Sequence, residues 1–139
     1  MQIVFTTDNR PGSWLIRKLT ASRWHHVGVS FGETVFESRA TGGVQKTTLG
    51  EFKSRGQFSS YEVPVPDEKG SLDWLHTQLG KPYDWSGVFG LALSRRWQKP
   101  ERWYCSELAA AAAKAGGLDL VRRDITGVTP RDLWVLPYN

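Results

Sequence analysis

At 139 residues, 40% hydrophobic and 23% charged, the chain is long enough for one domain whose core needs neither a disulfide nor a structural metal. Its one cysteine excludes an intramolecular disulfide and any zinc site built on several thiolates. The net charge of +4 is spread over short pairs such as Arg17-Lys18, Arg95-Arg96 and Arg122-Arg123, which fits a solvated basic surface better than a nucleic-acid face.

The first eight residues carry no basic stretch followed by an apolar run, and no segment approaches the roughly 18 consecutive apolar residues of a membrane span. The expectation is a cytoplasmic protein, or one of phage or signal-less export origin.

In chain order, residues 2–6 read as a short strand. Pro11-Gly12 turns the chain, and Ser13 is placed to cap a helix over Trp14 to Leu19 whose core-facing side is Trp14, Leu15 and Leu19. From Trp24 to Phe31, Val27, Val29 and Phe31 alternate with His26, Gly28 and Ser30, the period of a strand. Gly32-Glu33 suits a two-residue type II′ turn, and Thr34 to Ser38 is the returning strand. The register then pairs Phe31 with Thr34, Ser30 with Val35, Val29 with Phe36 and Gly28 with Glu37. Directly opposed residues share a face, so Glu37 and His26 lie diagonally on one face and His25 projects from the other.

Thr41-Gly42-Gly43 predicts a turn, Val44 to Thr48 a further strand, Leu49 to Phe52 a helical turn, and Phe58 to Val65 a strand ended by Pro66. Ser71 is placed to cap a helix over Leu72 to Leu79 that turns Leu72, Leu75 and Leu79 to a core, with Gly80 and Pro82 ending it. Tyr83-Asp84-Trp85 leads into an apolar, helical segment reaching Leu93, followed by a basic connector from Arg95 to Arg102. A helix begins at Cys105, runs through an alanine tract and stops at Gly116-Gly117. Thr129-Pro130-Arg131-Asp132 starts a last short helix. Together these make a single α+β domain over residues 1–139.

Cys105 stands where unpaired N–H groups and the positive end of a helix favour thiolate over thiol. Cysteine catalysis also needs a base and a group that fixes the base's tautomer. His26 is the candidate base and Glu37 the candidate third member. The same residues read equally well as a half-buried strand histidine and an exposed carboxylate, and a lone apolar-flanked cysteine as an inert thiol. His76 fits a helix surface. No His, Asp or Glu cluster has metal-ligand spacing, and no glycine-rich phosphate loop follows a strand. Neither metal nor cofactor is expected.

Several of these segments resemble one family. Leu79-Gly80-Lys81-Pro82-Tyr83-Asp84-Trp85 resembles the LGxPYxW segment of NlpC-type cell-wall peptidases, and Tyr104-Cys105-Ser106-Glu107-Leu108 resembles their nucleophile segment, DCSGL. The histidine strand comes first here, so that Trp24-His25-His26-Val27-Gly28-Val29 resembles the SHVGI motif of the circularly permuted branch. That branch includes YiiX-like proteins and the lecithin retinol acyltransferase group. Ser13 to Thr20 is similar to the helix before SHVGI, and Val35-Phe36-Glu37-Ser38 with Gly42-Gly43-Val44 to the strand and turn after it. His25 replaces the serine of SHVGI and Tyr104 the aspartate of DCSGL, which alters the pocket wall.

The resemblance implies a permuted papain-like fold, an antiparallel sheet packed against the Cys105 helix. It implies Cys105 as nucleophile, His26 as base and Glu37 as orienting group. Tyr83, Tyr104 and Trp24, within or beside these motifs, are the expected substrate-binding residues. The implied activity is hydrolysis of an amide bond in peptidoglycan peptide through an acyl-enzyme. The alternatives are a lipid acyl hydrolase or acyltransferase, and a non-catalytic phage or secretion-system binding module. A peptide, peptidoglycan or lipid partner is expected, and no nucleic acid. The tail beyond Gly117 resembles nothing in the family.

Overall fold

Strand β1 (Gln2–Thr7) is an inner strand of the sheet in the computed structural model, which describes residues 1–86, 101–121 and 124–136. Helix α1 (Pro11–Thr20) follows, then strands β2 (His26–Phe31), β3 (Thr34–Arg39) and β4 (Gly43–Thr48), helix α2 (Leu49–Ser54) and strand β5 (Gln57–Glu62). Helices α3 (Glu68–Gln78), α4 (Cys105–Ala115) and α5 (Pro130–Trp134) complete the described elements. The sheet has the order β4-β3-β2-β1-β5, and every neighbouring pair is antiparallel.

The β2–β3 hairpin has the register its turn chemistry requires: Phe31 faces Thr34 and Gly28 faces Glu37. Gly32 has φ of +57° and Glu33 stays at negative φ, the signature of a type II′ turn. Alternation along the strands sorts the sheet into two faces. Ile3, Phe5, Val27, Val29 and Phe36 face α3, α4 and α5 in the main core. Val4 and Val35 face the other way, against Phe52 of α2.

Helix α4 lies directly on β2 and β3. Ala109 to Ala113 are all buried, so over this tract the helix offers only methyl groups to its surroundings and approaches the sheet closely. Ser71 of α3 donates to the Ala112 carbonyl at 2.8 Å, fastening the two helices together. That contact corrects the predicted cap: α3 starts four residues earlier, at Glu68 instead of Leu72, capped by the Asp67 side chain on the Gly70 N–H, and Ser71 is buried inside it. Leu75 is fully buried, with Leu72 and Leu79 packed beside the core, as their spacing predicts. Thr129 caps α5 and Asp132 returns a bond to its N–H, also as predicted.

Helix α1 overturns its predicted orientation. It starts at Pro11 rather than after Ser13, and Trp14, Leu15 and Leu19 are 54, 52 and 37% exposed. Its inward side is polar instead. Ser13 is buried and hydrogen-bonded to Asp8, and buried Thr20 returns its hydroxyl proton to the Ile16 carbonyl. Ala21, at φ of +48°, ends the helix. The helix has the expected apolar period, but the apolar side faces outward.

The turn between β3 and β4 is pinned to the segment that leads to Tyr83. Val44 N–H donates to the Lys81 carbonyl and Gly80 N–H to the Val44 carbonyl, both at 2.9 Å. The helical segment expected up to Leu93 and most of the basic connector after it lie outside the described residues. No helix among the described residues is long and apolar enough to cross a membrane.

Candidate active site

β2 begins at His26, so its imidazole stands at the lip of the sheet. Its Nε2 lies 2.6 Å from Oε2 of Glu37 on the adjacent strand. The diagonal across the Gly28–Glu37 pair brings the two together, as the register requires. Glu37 is fully buried and carries a second partner that the sequence did not suggest: Nη1 of Arg55 donates to both its oxygens, at 2.9 and 2.6 Å. Arg55 follows α2, whose Phe52 ring packs against both the guanidinium and the His26 imidazole, with centroid separations of 5.5 and 5.7 Å. Gly28 makes room for that ring. A Cβ there would lie 2.8 Å from Val35 and 3.2 Å from Phe52.

The next residue of β3, Ser38, points to the opposite face and donates to the Trp103 carbonyl at 2.7 Å. Two consecutive residues of one strand therefore fix the two halves of the site. Glu37 holds the histidine, and Ser38 holds the chain just before the cysteine. Tyr83 makes a parallel bridge to Trp103, and its ring meets that of Tyr104 edge-on with centroids 6.0 Å apart.

The first turn of α4 is held from the other side. Glu107 accepts from the Gly127 N–H at 2.7 Å and from the Tyr104 N–H at 3.5 Å, and Ser106 donates to the Val128 carbonyl at 2.5 Å. The first i to i−4 bond of the helix runs from Leu108 to the Tyr104 carbonyl, so the N–H groups of Cys105 and Ser106 precede its ladder.

The charges respond to this packing. Burial works against a charged His26, but hydrogen bonds to Cys105 and Glu37 outweigh it and raise the imidazole to about 9. For Glu37, burial is opposed by His26 and Arg55, and the carboxyl falls to about 2. Cys105 is therefore at the imidazole that Glu37 holds, although it is 1% exposed. Burial, with the Cys105 charge adding to it, pushes the Tyr83 and Tyr104 phenols up. Burial likewise lifts Glu107 to about 7, against its backbone hydrogen bonds.

A cavity of about 440 Å³ opens beside His26, lined among others by His25, Ser38, Arg39, Arg55 and Tyr83. Its presence corrects the expectation for His25. The alternation that sends His25 to the far face does not apply, because β2 starts one residue later, and the His25 and His26 rings lie 6.1 Å apart on the same cavity. Burial and the neighbouring His26 lower His25 to about 4, so it is neutral near pH 7.

Of the three expected substrate-binding residues, only Tyr83 lines this cavity. Tyr104 is buried behind it, against Tyr83. Trp24 is 2% exposed and belongs to the core, its ring 5.9 Å from Phe5 and 5.1 Å from Trp134. It is a packing residue in this structure rather than a pocket wall, because the aromatic residues of β1 and α5 enclose it. His76 is an exposed residue of α3 with its ring edge on Phe36.

No family model matches the chain, and no curated protein does. Among solved structures it is similar to the crystal structure of metalloprotein YiiX from Escherichia coli O157:H7, with a TM-score of 0.69 and 19% sequence identity over 96% of this chain and 89% of that one. At that identity the likeness is one of fold: an α+β domain built on a five-stranded antiparallel sheet.

Proposed function

We propose that the chain is a permuted papain-like thiol hydrolase that works through an acyl-enzyme on Cys105. The observation that carries the reading is the Glu37 carboxylate 2.6 Å from His26, with Cys105 near enough to the same imidazole to help hold its proton. The YiiX-like fold supports it too, since the sequence motifs resemble the branch that contains such proteins.

With Nε2–H directed at Glu37, Nδ1 is the ring nitrogen left for the thiol proton. Cys105 Sγ attacks the substrate carbonyl carbon as a thiolate paired with the protonated His26 ring, and the carbonyl oxygen becomes an oxyanion facing the backbone N–H of Cys105. Collapse breaks the bond to the leaving group, which takes the proton from the imidazolium, and a thioester remains. Water then attacks the thioester with His26 as base and releases the acid and the free thiol. Glu37, held by Arg55, keeps the ring in the right tautomer throughout.

The first substrate class is an amide of peptidoglycan peptide, from the resemblance to cell-wall peptidases. A lipid ester is the second, favoured by the exposed apolar side of α1 next to the cavity. The structural neighbour is named a metalloprotein, but among the described residues no three His, Cys, Asp or Glu side chains are grouped to hold an ion. The described residues do not fit a metal centre.

The test is intact-mass trapping. Wild-type and Cys105→Ser protein are incubated separately with purified cell-wall fragments and with phospholipid. An acyl adduct on the wild type alone supports the reading, and its mass identifies the substrate class. Neither adduct nor product from either substrate overturns it.

A further inference from the structure

We infer that the outward side of α1 is a docking surface for an anionic lipid bilayer. The inference does not depend on Cys105 being a nucleophile. Trp14, Leu15 and Leu19 are the largest group of exposed apolar side chains on any one described element, and they fall within one side of a ten-residue helix. A side of this kind ordinarily packs inward, yet here the buried positions are Ser13 and Thr20, with Ile16 and Arg17 half-buried beside them, and the Thr20 hydroxyl donates to the Ile16 carbonyl.

The charges around this side identify what covers it. Lys18 lies between Trp14 and Leu15 on the helix surface, its ammonium 5.8 Å from the Trp14 ring, and Arg10 and Arg17 flank the same helix. Asp8, just before this helix, is engaged by Arg10. A second copy docking through this side would bring Lys18 and Arg17 against their own duplicates, while Arg10 already has Asp8 as its partner. An anionic bilayer meets both requirements. Its headgroups accept the cations, its acyl boundary accepts the leucines, and an indole prefers the layer between the two. The lysine stem can lie along the apolar surface while its ammonium reaches the headgroups.

The opposite side of α1 carries Ser13 and Ile16 into the wall of the cavity that holds His25 and His26. Docking would set this cavity beside the membrane surface, separated from it by about one helix diameter, roughly 10 Å.

Vesicle co-sedimentation tests the inference. The wild type is expected to bind phosphatidylglycerol/phosphatidylcholine vesicles and to bind pure phosphatidylcholine at least about fivefold more weakly, with binding to the anionic vesicles falling as salt rises. Trp14→Ser/Leu15→Ser/Leu19→Ser should reduce binding by about tenfold or more, and each of Arg17→Gln and Lys18→Gln by about fivefold. Cys105→Ser should bind as the wild type does, which separates docking from catalysis. Absence of wild-type binding overturns the inference, as does equal binding by the triple variant or loss of binding in Cys105→Ser. A dimer in vesicle-free solution that the triple variant dissociates also overturns it, because a second copy would then be the occupant.

Discussion

One nitrogen of Arg55 bridges both oxygens of Glu37, so the buried carboxylate that holds His26 is itself held by a cation from a different element. Removing that cation leaves a buried negative charge with only His26 and a long hydrogen bond from Gln45 as side-chain partners. Arg55→Ala is expected to cost roughly 1–3 kcal/mol in urea unfolding, since the side chain is partly exposed and some screening applies. It should also raise the Glu37 carboxyl from about 2. Arg55→Lys should recover part of the stability but less of the geometry, because an ammonium lacks the planar fork. Unchanged stability in Arg55→Ala would remove Arg55 from the site.

Glu37→Gln removes the negative charge but keeps a side chain of similar shape. The imidazolium of His26 then loses one of its two supports, so its pKa falls from about 9. Turnover should drop less than in His26→Ala, and the basic limb of the rate profile should move to lower pH. A histidine NMR titration that leaves His26 unmoved would assign the orienting role elsewhere.

Stability should depend on pH on both flanks. His26 has a folded value of about 9 against an ordinary 6.5, so its contribution is complete below pH 6.5 and is lost as pH rises through about 9. Glu37 is depressed from 4.5 to about 2, so its contribution is present above 4.5 and is lost as pH falls through about 2. Between 4.5 and 6.5, His25 destabilises on acidification and Glu107 on alkalinisation, and the two oppose each other. Denaturation midpoints measured from pH 3 to 10 should therefore fall towards both ends. The basic flank should flatten in His26→Gln; a flank of full height in that variant contradicts the assignment.

Two glycines should tolerate alanine very differently. Gly43 has φ of +68°, and a Cβ there would lie 2.1 Å from the Lys81 carbonyl oxygen. Gly43→Ala is expected to cost about 1–3 kcal/mol or more and, by displacing the segment before Tyr83, to reduce activity. Gly12, in the first turn of α1, has nothing within 4 Å of its Cβ position, so Gly12→Ala should be neutral or stabilising by up to about 1 kcal/mol. Thermal melts of the two variants separate these outcomes.

What was legible in the chain was what depends on local chemistry and period. The Gly32-Glu33 turn set the hairpin register, and from that register the meeting of His26 and Glu37 followed. The start of α4 at Cys105 and the cap at Thr129 were legible for the same reason. Arg55 and Ser38 were not legible, because each reaches a partner 18 or 65 residues away and no spacing encodes that distance. The orientation of α1 was missed because period identifies an apolar side without saying whether it faces core or surroundings. Trp24 was misplaced because a tryptophan beside a site motif and one in the core read alike in sequence.

Cys105 is the only sulfhydryl in the 139 residues, and it lies almost wholly beneath its neighbours. A small thiol-directed dye therefore has a single target and can reach it only when the surrounding wall opens. With excess dye, the labelling rate becomes a stopwatch for that breathing motion, free of background from any other side chain of its kind. Any substrate that must reach the same sulfur is subject to the same opening, so the molecule carries a built-in measure of how often its own door is ajar.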